Sequence, residues 1–167
     1  GGWGYLFGDE GSAYAVAITG LRAAARAADG RGPASKLAER FCARLKIDRT
    51  ESLVPAVYGS GLDRAGIAAL VDEATGAACD GDAVAISILE SAADELAEMA
   101  SAAARIIPLD SVASAPLALA GGMLLGYEPL RVGVVDGLRR RGIKPDPVQQ
   151  VTEPALGAIR LARESLE

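Results

Sequence analysis

GGWGYLFGDEGSAY, residues 1–14, is the stretch that most restricts the fold and function of this chain. It holds five glycines and the only Trp of the chain, Trp3. Glycine reaches backbone angles closed to other residues and lets a ligand approach the main chain, so this composition predicts a shaped loop. From Tyr14 onward, apolar residues recur every three or four positions. That period predicts a helix from Tyr14 to about Ala28, with one buried face.

Three polar residues, Asp9, Glu10 and Ser12, fall just before this helix. Carboxylates and hydroxyls at a helix N-terminus accept hydrogen bonds from unpaired N–H groups and complement the positive end of the helix dipole. Two interpretations follow. Asp9 or Ser12 only caps the helix, or the glycine loop and its carboxylate bind a ligand.

Length and composition restrict the class of protein. The 167 residues are 50% apolar but only 4% aromatic, which predicts one domain, residues 1–167, with a core of Ala, Leu, Val and Ile. A net charge of −5, with no basic run beyond residues 139–141, argues against a nucleic-acid partner. No apolar run reaches the roughly 18 residues of a membrane span, and no signal peptide is evident. We therefore expect no membrane partner and a cytoplasmic protein.

The absence of His removes several kinds of chemistry at once. Ser-His-Asp and Cys-His mechanisms and ordinary zinc sites all need an imidazole. Cys42 and Cys79 lie outside any C-x-x-C pair, so two free thiols are expected and no metal-ligating residue is predicted. Chemistry at this chain must use carboxylates, hydroxyls, backbone groups or a bound metal.

Beyond the first helix, the apolar period and the turn residues predict six more helices. Asp63 is expected to cap one of them. The longest is expected to end before Pro108, with its acidic residues forming a solvated face. The predicted ranges are residues 33–45, 50–58, 63–78, 85–106, 128–141 and 154–166.

A short apolar run, residues 116–120, ends in Gly121 and Gly122. A run bounded by Pro and Gly-Gly predicts a buried parallel strand that ends in a glycine turn. Ligands bind at that end of the strands in open α/β sheets, although a plain turn is the alternative. Residues 143–151 form an edge strand at best, because they contain Pro145 and Pro147.

Two motifs carry a resemblance to a known family. Gly-Trp-Gly followed by Gly-Asp-Glu-Gly-Ser at a helix start resembles the second-half motif of the N-acetylglucosamine kinases of the BadF/BadG/BcrA/BcrD ATPase family, within the sugar kinase, Hsp70 and actin superfamily. Residues 119–122, Leu-Ala-Gly-Gly, resemble the adenosine motif of that family, and residues 153–158 resemble its closing pattern. The implied fold is α/β: the helix-rich C-terminal part of an actin-like (ribonuclease H-like) ATPase domain, with few strands.

The resemblance also implies ligands and the residues that bind them. The ligands are N-acetylglucosamine or a related amino sugar, and ATP with Mg²⁺. Asp9 would accept hydrogen bonds from sugar hydroxyls, and Ala13 would leave room for an acyl group. The implied sugar-binding residues are Gly2, Trp3, Asp9 and Ala13, and the implied nucleotide-binding residues are Gly121, Gly122 and Ala68.

In this family the phosphate-binding hairpin and the catalytic base lie in a preceding half. We therefore expect the chain to be the C-terminal half of a two-domain kinase, partnered by its own N-terminal half, with no catalytic residue of its own and no activity alone. A homodimer is possible, as among the relatives. One alternative is an ATPase that activates a radical dehydratase by electron transfer, although Cys42 and Cys79 lack the expected cluster spacing. The other is a non-catalytic sugar- or nucleotide-binding regulator.

Overall fold

The computed structural model describes residues 3–59, 61–106 and 114–165. The described chain groups into two compact units, one extending to Leu96 and the other beginning at Ala97. The elements confirm the predicted helix-rich α/β class, with two strands among the described residues. In chain order they are α1 (Ala13–Ala28), α2 (Leu37–Leu45), a 3-10 turn (Thr50–Ser52), α3 (Leu53–Tyr58), α4 (Arg64–Ala68), α5 (Val71–Cys79), α6 (Ala83–Ile106), β1 (Ser114–Ala120), α7 (Gly122–Gly126), α8 (Glu128–Arg140), β2 (Lys144–Val151) and α9 (Pro154–Glu164).

The core of the first unit lies between α1 and α2, where Leu37 and Phe41 are fully buried. A close helix approach makes this packing possible. A Cβ added at Gly20 of α1 would lie 3.1 Å from the Phe41 ring, so a larger residue there would require the ring to shift by a few tenths of an ångström. Helix α1 also contacts α4 and α5, and so forms the centre of this unit.

Asp82 joins the start of α2 to the start of α6. Its carboxylate accepts hydrogen bonds from the Ala85 N–H at 2.9 Å, the Lys36 N–H at 2.6 Å and the Ser35 hydroxyl at 3.1 Å. Burial raises the pKa of Asp82, but these hydrogen bonds outweigh it and the pKa lies below its ordinary value. They also explain why α2 begins at Leu37 and not at Pro33 as predicted. Residues 35–36 are held outside the helix by a carboxylate far along the chain.

Two further predicted helices differ from the structure. The helix predicted after Asp63 is two helices, α4 and α5, separated by a turn at residues 69–70. The helix predicted over 50–58 starts as a 3-10 turn, and Pro55 lies in the first turn of α3, where no helical hydrogen bond is lost. The predicted end of α6 at Pro108 lies outside the described residues.

The two cysteines lie on helices. Cys42, in α2, is partly buried, whereas Cys79, in α5, is exposed, and both are free thiols. The acidic side chains along α6 are exposed as expected at Glu90, Glu95 and Glu98.

In the second unit, β1 and β2 pair in parallel, as the apolar run before Gly121 predicted. The register shifts between Ala115 and Leu117, so that β2 accommodates its prolines in an irregularity. The prediction that β1 is buried is wrong for most of its length, since only Leu119 is buried. Among the described residues its sole hydrogen-bonded neighbour is β2, and its residues alternate between exposed and partly buried before Leu119.

Helix α8 covers the core of the second unit with Leu130, Val134 and Leu138. Its Gly137 approaches Ala97 so closely that an added Cβ would lie 2.6 Å from the Ala97 Cβ. Helix α8 ends in the basic residues Arg139 and Arg140, which complement the negative end of the helix dipole. Helix α9 is amphipathic but exposed along its described length, including Leu156 and Ile159.

Candidate functional site

The glycine loop folds back on itself. Gly4 has a φ of 79°, and its carbonyl accepts hydrogen bonds from the Phe7 N–H at 3.2 Å and the Gly8 N–H at 3.0 Å. Trp3 lies against Gly8, where an added Cβ would be 3.2 Å from the Trp3 Cβ. The prediction of a shaped loop is therefore confirmed, with Trp3 77% exposed at its surface.

Gly11 anchors the end of the loop to α6. It is buried with a φ of 75°, and an added Cβ would lie 2.4 Å from the Leu96 Cγ and 2.9 Å from the Ala92 carbonyl oxygen. A side chain at this position would clash with both the helix backbone and the base of a leucine side chain. The loop thus enters α1 at a fixed distance from α6.

Ser12, and not Asp9, caps α1. The Ser12 Oγ accepts a hydrogen bond from the Ala15 N–H at 3.1 Å, which satisfies one unpaired donor of the first turn. The same hydroxyl donates to the Asp9 Oδ2 at 2.9 Å. The capping residue therefore orients the Asp9 carboxylate, which does not itself cap the helix.

Arg64, the first residue of α4, contacts the same carboxylate. Its guanidinium lies 3.4 Å from the Asp9 Oδ2. It also lies 5.0 Å from the centre of the Tyr5 ring and 6.0 Å from that of Tyr14, within the range of cation–π attraction. The two tyrosine rings meet edge to face at 5.5 Å. This cluster joins the loop, α1 and α4.

A cleft of about 500 Å³ opens beside this cluster. It brings together three of the predicted binding residues: Asp9, Ala13 and Ala68. Asp9 and Ala13 were assigned to the sugar and Ala68 to the nucleotide, and the structure places all three on one cavity. The remaining lining residues are Ser12, Tyr14, Asp63, Arg64 and Ala65.

Two other sugar-binding residues were predicted, Gly2 and Trp3. Gly2 is outside the described residues. Trp3 does not line the Asp9 cleft. A wider groove of about 650 Å³ runs between the loop, α1 and α3, and its walls include the exposed side chains of Leu6, Phe7 and Tyr58.

Gly121 and Gly122 directly follow the carboxyl end of β1, as predicted. Gly121 has a φ of 99°, a conformation that favours glycine, and α7 begins at Gly122. Both glycines are exposed, and an added Cβ at either would meet no atom within 4 Å. The backbone here is open to a flat ligand. Helix α7 was not predicted, because its five residues are too short for a readable period.

Sequence reasoning missed Arg64 and Tyr5 as parts of this site. Arg64 stands 55 positions from Asp9, and no motif in a single sequence links the two. The sole local signal was Asp63, a predicted helix cap that does accept a hydrogen bond from the Gly66 N–H, at 2.7 Å.

The described ranges hold no cluster of three His, Cys, Asp or Glu side chains arranged to ligate a metal ion. Within the same ranges, no helix combines the length and the apolar character needed to cross a membrane.

Comparison with known proteins places this chain in a family. The family model described as BadF/BadG/BcrA/BcrD ATPase matches residues 1–162. A Clostridium acetobutylicum protein named N-acetylmuramic acid/N-acetylglucosamine kinase is 30% identical over 167 residues, covering 100% of this chain and 54% of its own length. A Dictyostelium discoideum N-acetyl-D-glucosamine kinase is 28% identical over 171 residues, covering 99% and 52%. The chain thus spans about half the length of these curated relatives.

A solved structure shows the same relationship. A Chromobacterium violaceum protein described as a "Putative N-acetylglucosamine Kinase" superposes with a TM-score of 0.61 and 29% identity, over 87% of this chain and 46% of its own. The predicted actin-like α/β class is confirmed by this likeness. With a family match over nearly all of its residues, the chain belongs to the BadF/BadG/BcrA/BcrD ATPase family.

Proposed function

We propose that this chain is part of an ATP-dependent kinase that phosphorylates N-acetylglucosamine or a related amino sugar. One observation carries the proposal: among the described residues, the contacts to the Asp9 carboxylate, from Ser12 and Arg64, are to Oδ2, at the wall of an open cleft. The described residues place no partner on Oδ1. A carboxylate oxygen that is fixed but unpaired is suited to accept a hydrogen bond from a sugar hydroxyl.

The neighbours of Asp9 fit the same ligand. Ala13 lies on the cleft wall with a side chain of one methyl group, which leaves space for an acyl substituent. Trp3 offers an exposed aromatic face of the kind on which sugar rings lie, and Gly2 precedes it in the motif. The kinases to which the chain is similar are named for N-acetylglucosamine and N-acetylmuramic acid, which both carry such an acyl group.

The nucleotide is assigned to Gly121 and Gly122. Their open backbone at the end of a parallel strand suits the adenosine of ATP. Ala68 is kept as a nucleotide contact. It lies on the wall of the Asp9 cleft, and phosphoryl transfer requires the phosphates of ATP to lie next to the sugar hydroxyl that receives the phosphoryl group.

Mg²⁺ would neutralise charge on the ATP phosphates during transfer. Among the described residues we assign it no protein ligand. The catalytic base and the phosphate-binding hairpin are proposed to lie in a preceding half, so that the 167 residues alone are inactive. A homodimer and a cytoplasmic location belong to the same proposal.

The test uses the chain extended by the preceding half of the polypeptide. Mg²⁺- and ATP-dependent phosphorylation is measured on N-acetylglucosamine, N-acetylmannosamine, glucosamine and glucose. We expect turnover on an amino sugar, and we expect Asp9→Asn to lower that turnover at least about a hundredfold. The control is Asp72→Asn, a change at an exposed carboxylate of α5, which should leave turnover within about twofold.

Two results would overturn the proposal. Hydrolysis of ATP without a sugar preference would favour the activator of a radical dehydratase. Binding of sugar or nucleotide without any turnover would favour a non-catalytic regulator.

A further inference from the structure

We infer that Arg64 is a positioning residue: it holds the Asp9 carboxylate and the glycine loop in the geometry that receives the sugar. The effect on sugar binding rests on the proposed function, whereas the contacts of Arg64 with Asp9 and the loop are independent of it.

Two side chains contact the same oxygen of the Asp9 carboxylate. Ser12 and Arg64 both contact Oδ2, at 2.9 and 3.4 Å. With two donors on one oxygen, rotation about the Cβ–Cγ bond of Asp9 is restricted, and Oδ1 is kept available. Without Arg64, one neutral hydroxyl would remain to orient the carboxylate.

The second step is the attachment of the loop. Tyr5 lies in the loop and Tyr14 on α1, and the two rings meet edge to face beside the Arg64 guanidinium. Tyr5 is 45% exposed. Arg64 therefore attaches the loop at two points, through the Tyr5 ring and through Asp9.

The third step is the chemistry of the side chain. A guanidinium is planar and can lie over an aromatic ring while its N–H groups donate to a carboxylate. A lysine ammonium is a point charge that does not combine the two geometries as well. The Asp63 cap fixes the start of α4 and thereby the backbone of Arg64.

The first measurement follows amide hydrogen exchange in the 167-residue chain carrying Arg64→Met. We expect the Phe7 and Gly8 amides, whose hydrogen bonds close the loop, to exchange about five- to tenfold faster, as removal of one exposed ion pair and its ring contacts implies. The matched control is Arg31→Met. Arg31 also pairs with an aspartate, and its side chain is 59% exposed against 58% for Arg64. This control should leave loop exchange unchanged.

The second measurement uses the chain extended by its preceding half. We expect Arg64→Met to raise the KM for the amino sugar about five- to tenfold, with the KM for ATP unchanged, and Arg64→Lys to fall between the variant and the wild type. A merely structural role would change both KM values or neither.

The outcomes separate the two proposals. If the wild-type extended polypeptide phosphorylates no sugar but Arg64→Met loosens the loop, the kinase proposal fails and the positioning of the loop by Arg64 stands. If loop exchange in Arg64→Met matches that of Arg31→Met, or if sugar turnover exists and its KM is unchanged, the inference is overturned.

Discussion

Replacement of Gly11 by alanine is predicted to be the most damaging single-methyl change in the glycine loop. Two costs combine at this position. At a φ of 75° the alanine backbone is strained by ~1–2 kcal/mol. The added Cβ would also lie 2.4 Å from the Leu96 Cγ and 2.9 Å from the Ala92 carbonyl oxygen, and overpacking of this kind costs about 1–3 kcal/mol.

Neither neighbour can withdraw easily. The Ala92 oxygen belongs to the backbone of α6, and the Leu96 Cγ is the branch point of its side chain and not a flexible tip. The free energy of unfolding should therefore fall by about 2–5 kcal/mol in Gly11→Ala. Gly81→Ala provides the control. Gly81 has a φ of 78° and no atom within 4 Å of an added Cβ, so it carries only the backbone cost of about 1–2 kcal/mol.

Urea denaturation followed by far-UV circular dichroism measures the difference. With an m-value of about 1–3 kcal/mol/M, an excess loss of ~2 kcal/mol in Gly11→Ala appears as a midpoint about 1 M lower than that of Gly81→Ala. Equal midpoints for the two variants would refute the packing of the loop against α6.

Three further changes test other parts of the structure. Ser12→Ala removes the α1 cap and should lower the free energy of unfolding by ~1 kcal/mol. In the extended polypeptide it should also weaken sugar binding, because the Ser12 hydroxyl orients the Asp9 carboxylate. Asp82→Asn should cost about 2 kcal/mol near neutral pH. The pKa of Asp82 is lower in the folded state than in the unfolded state. The stabilisation is therefore full above the unfolded pKa of about 4 and is lost as the pH falls through the folded pKa. The urea midpoints of wild type and variant should converge in acid and at no higher pH. Gly137→Ala should cost about 1–3 kcal/mol, because its Cβ would meet a side chain of α6 at 2.6 Å, whereas Gly157→Ala, in open space on α9, should be neutral or stabilising in thermal denaturation.

The sequence predicted well wherever the signal was local. The glycine loop, helix α1 and the parallel strand before Gly121 were all readable, because glycine content and apolar period act over a few residues. The start of α2 could not be predicted, because it depends on hydrogen bonds from residues 35–36 to Asp82, which lies 46 or more positions further along the chain. The break at residues 69–70 contains neither Gly nor Pro, so it left no local signal.

In the candidate site too, residues within a local motif could be predicted, whereas contacts between distant residues could not. Asp9 and Ala13 were found through a motif, and the structure places them on one cleft. The contribution of Arg64 could not be predicted, because an ion pair between residues 55 positions apart depends on the packing of α4 against α1. The choice between Asp9 and Ser12 as the α1 cap also required the fold. Both residues stand within reach of the first turn, and geometry alone selects Ser12.

We propose that the Asp9 Oδ1 receives the sugar, and a crystal structure of the extended polypeptide with N-acetylglucosamine bound would test this. We expect a sugar hydroxyl about 2.6–3.0 Å from the Asp9 Oδ1, with the Arg64 guanidinium and the Ser12 hydroxyl still on Oδ2. A sugar bound away from Asp9, or one that displaces Arg64 from the carboxylate, would contradict it.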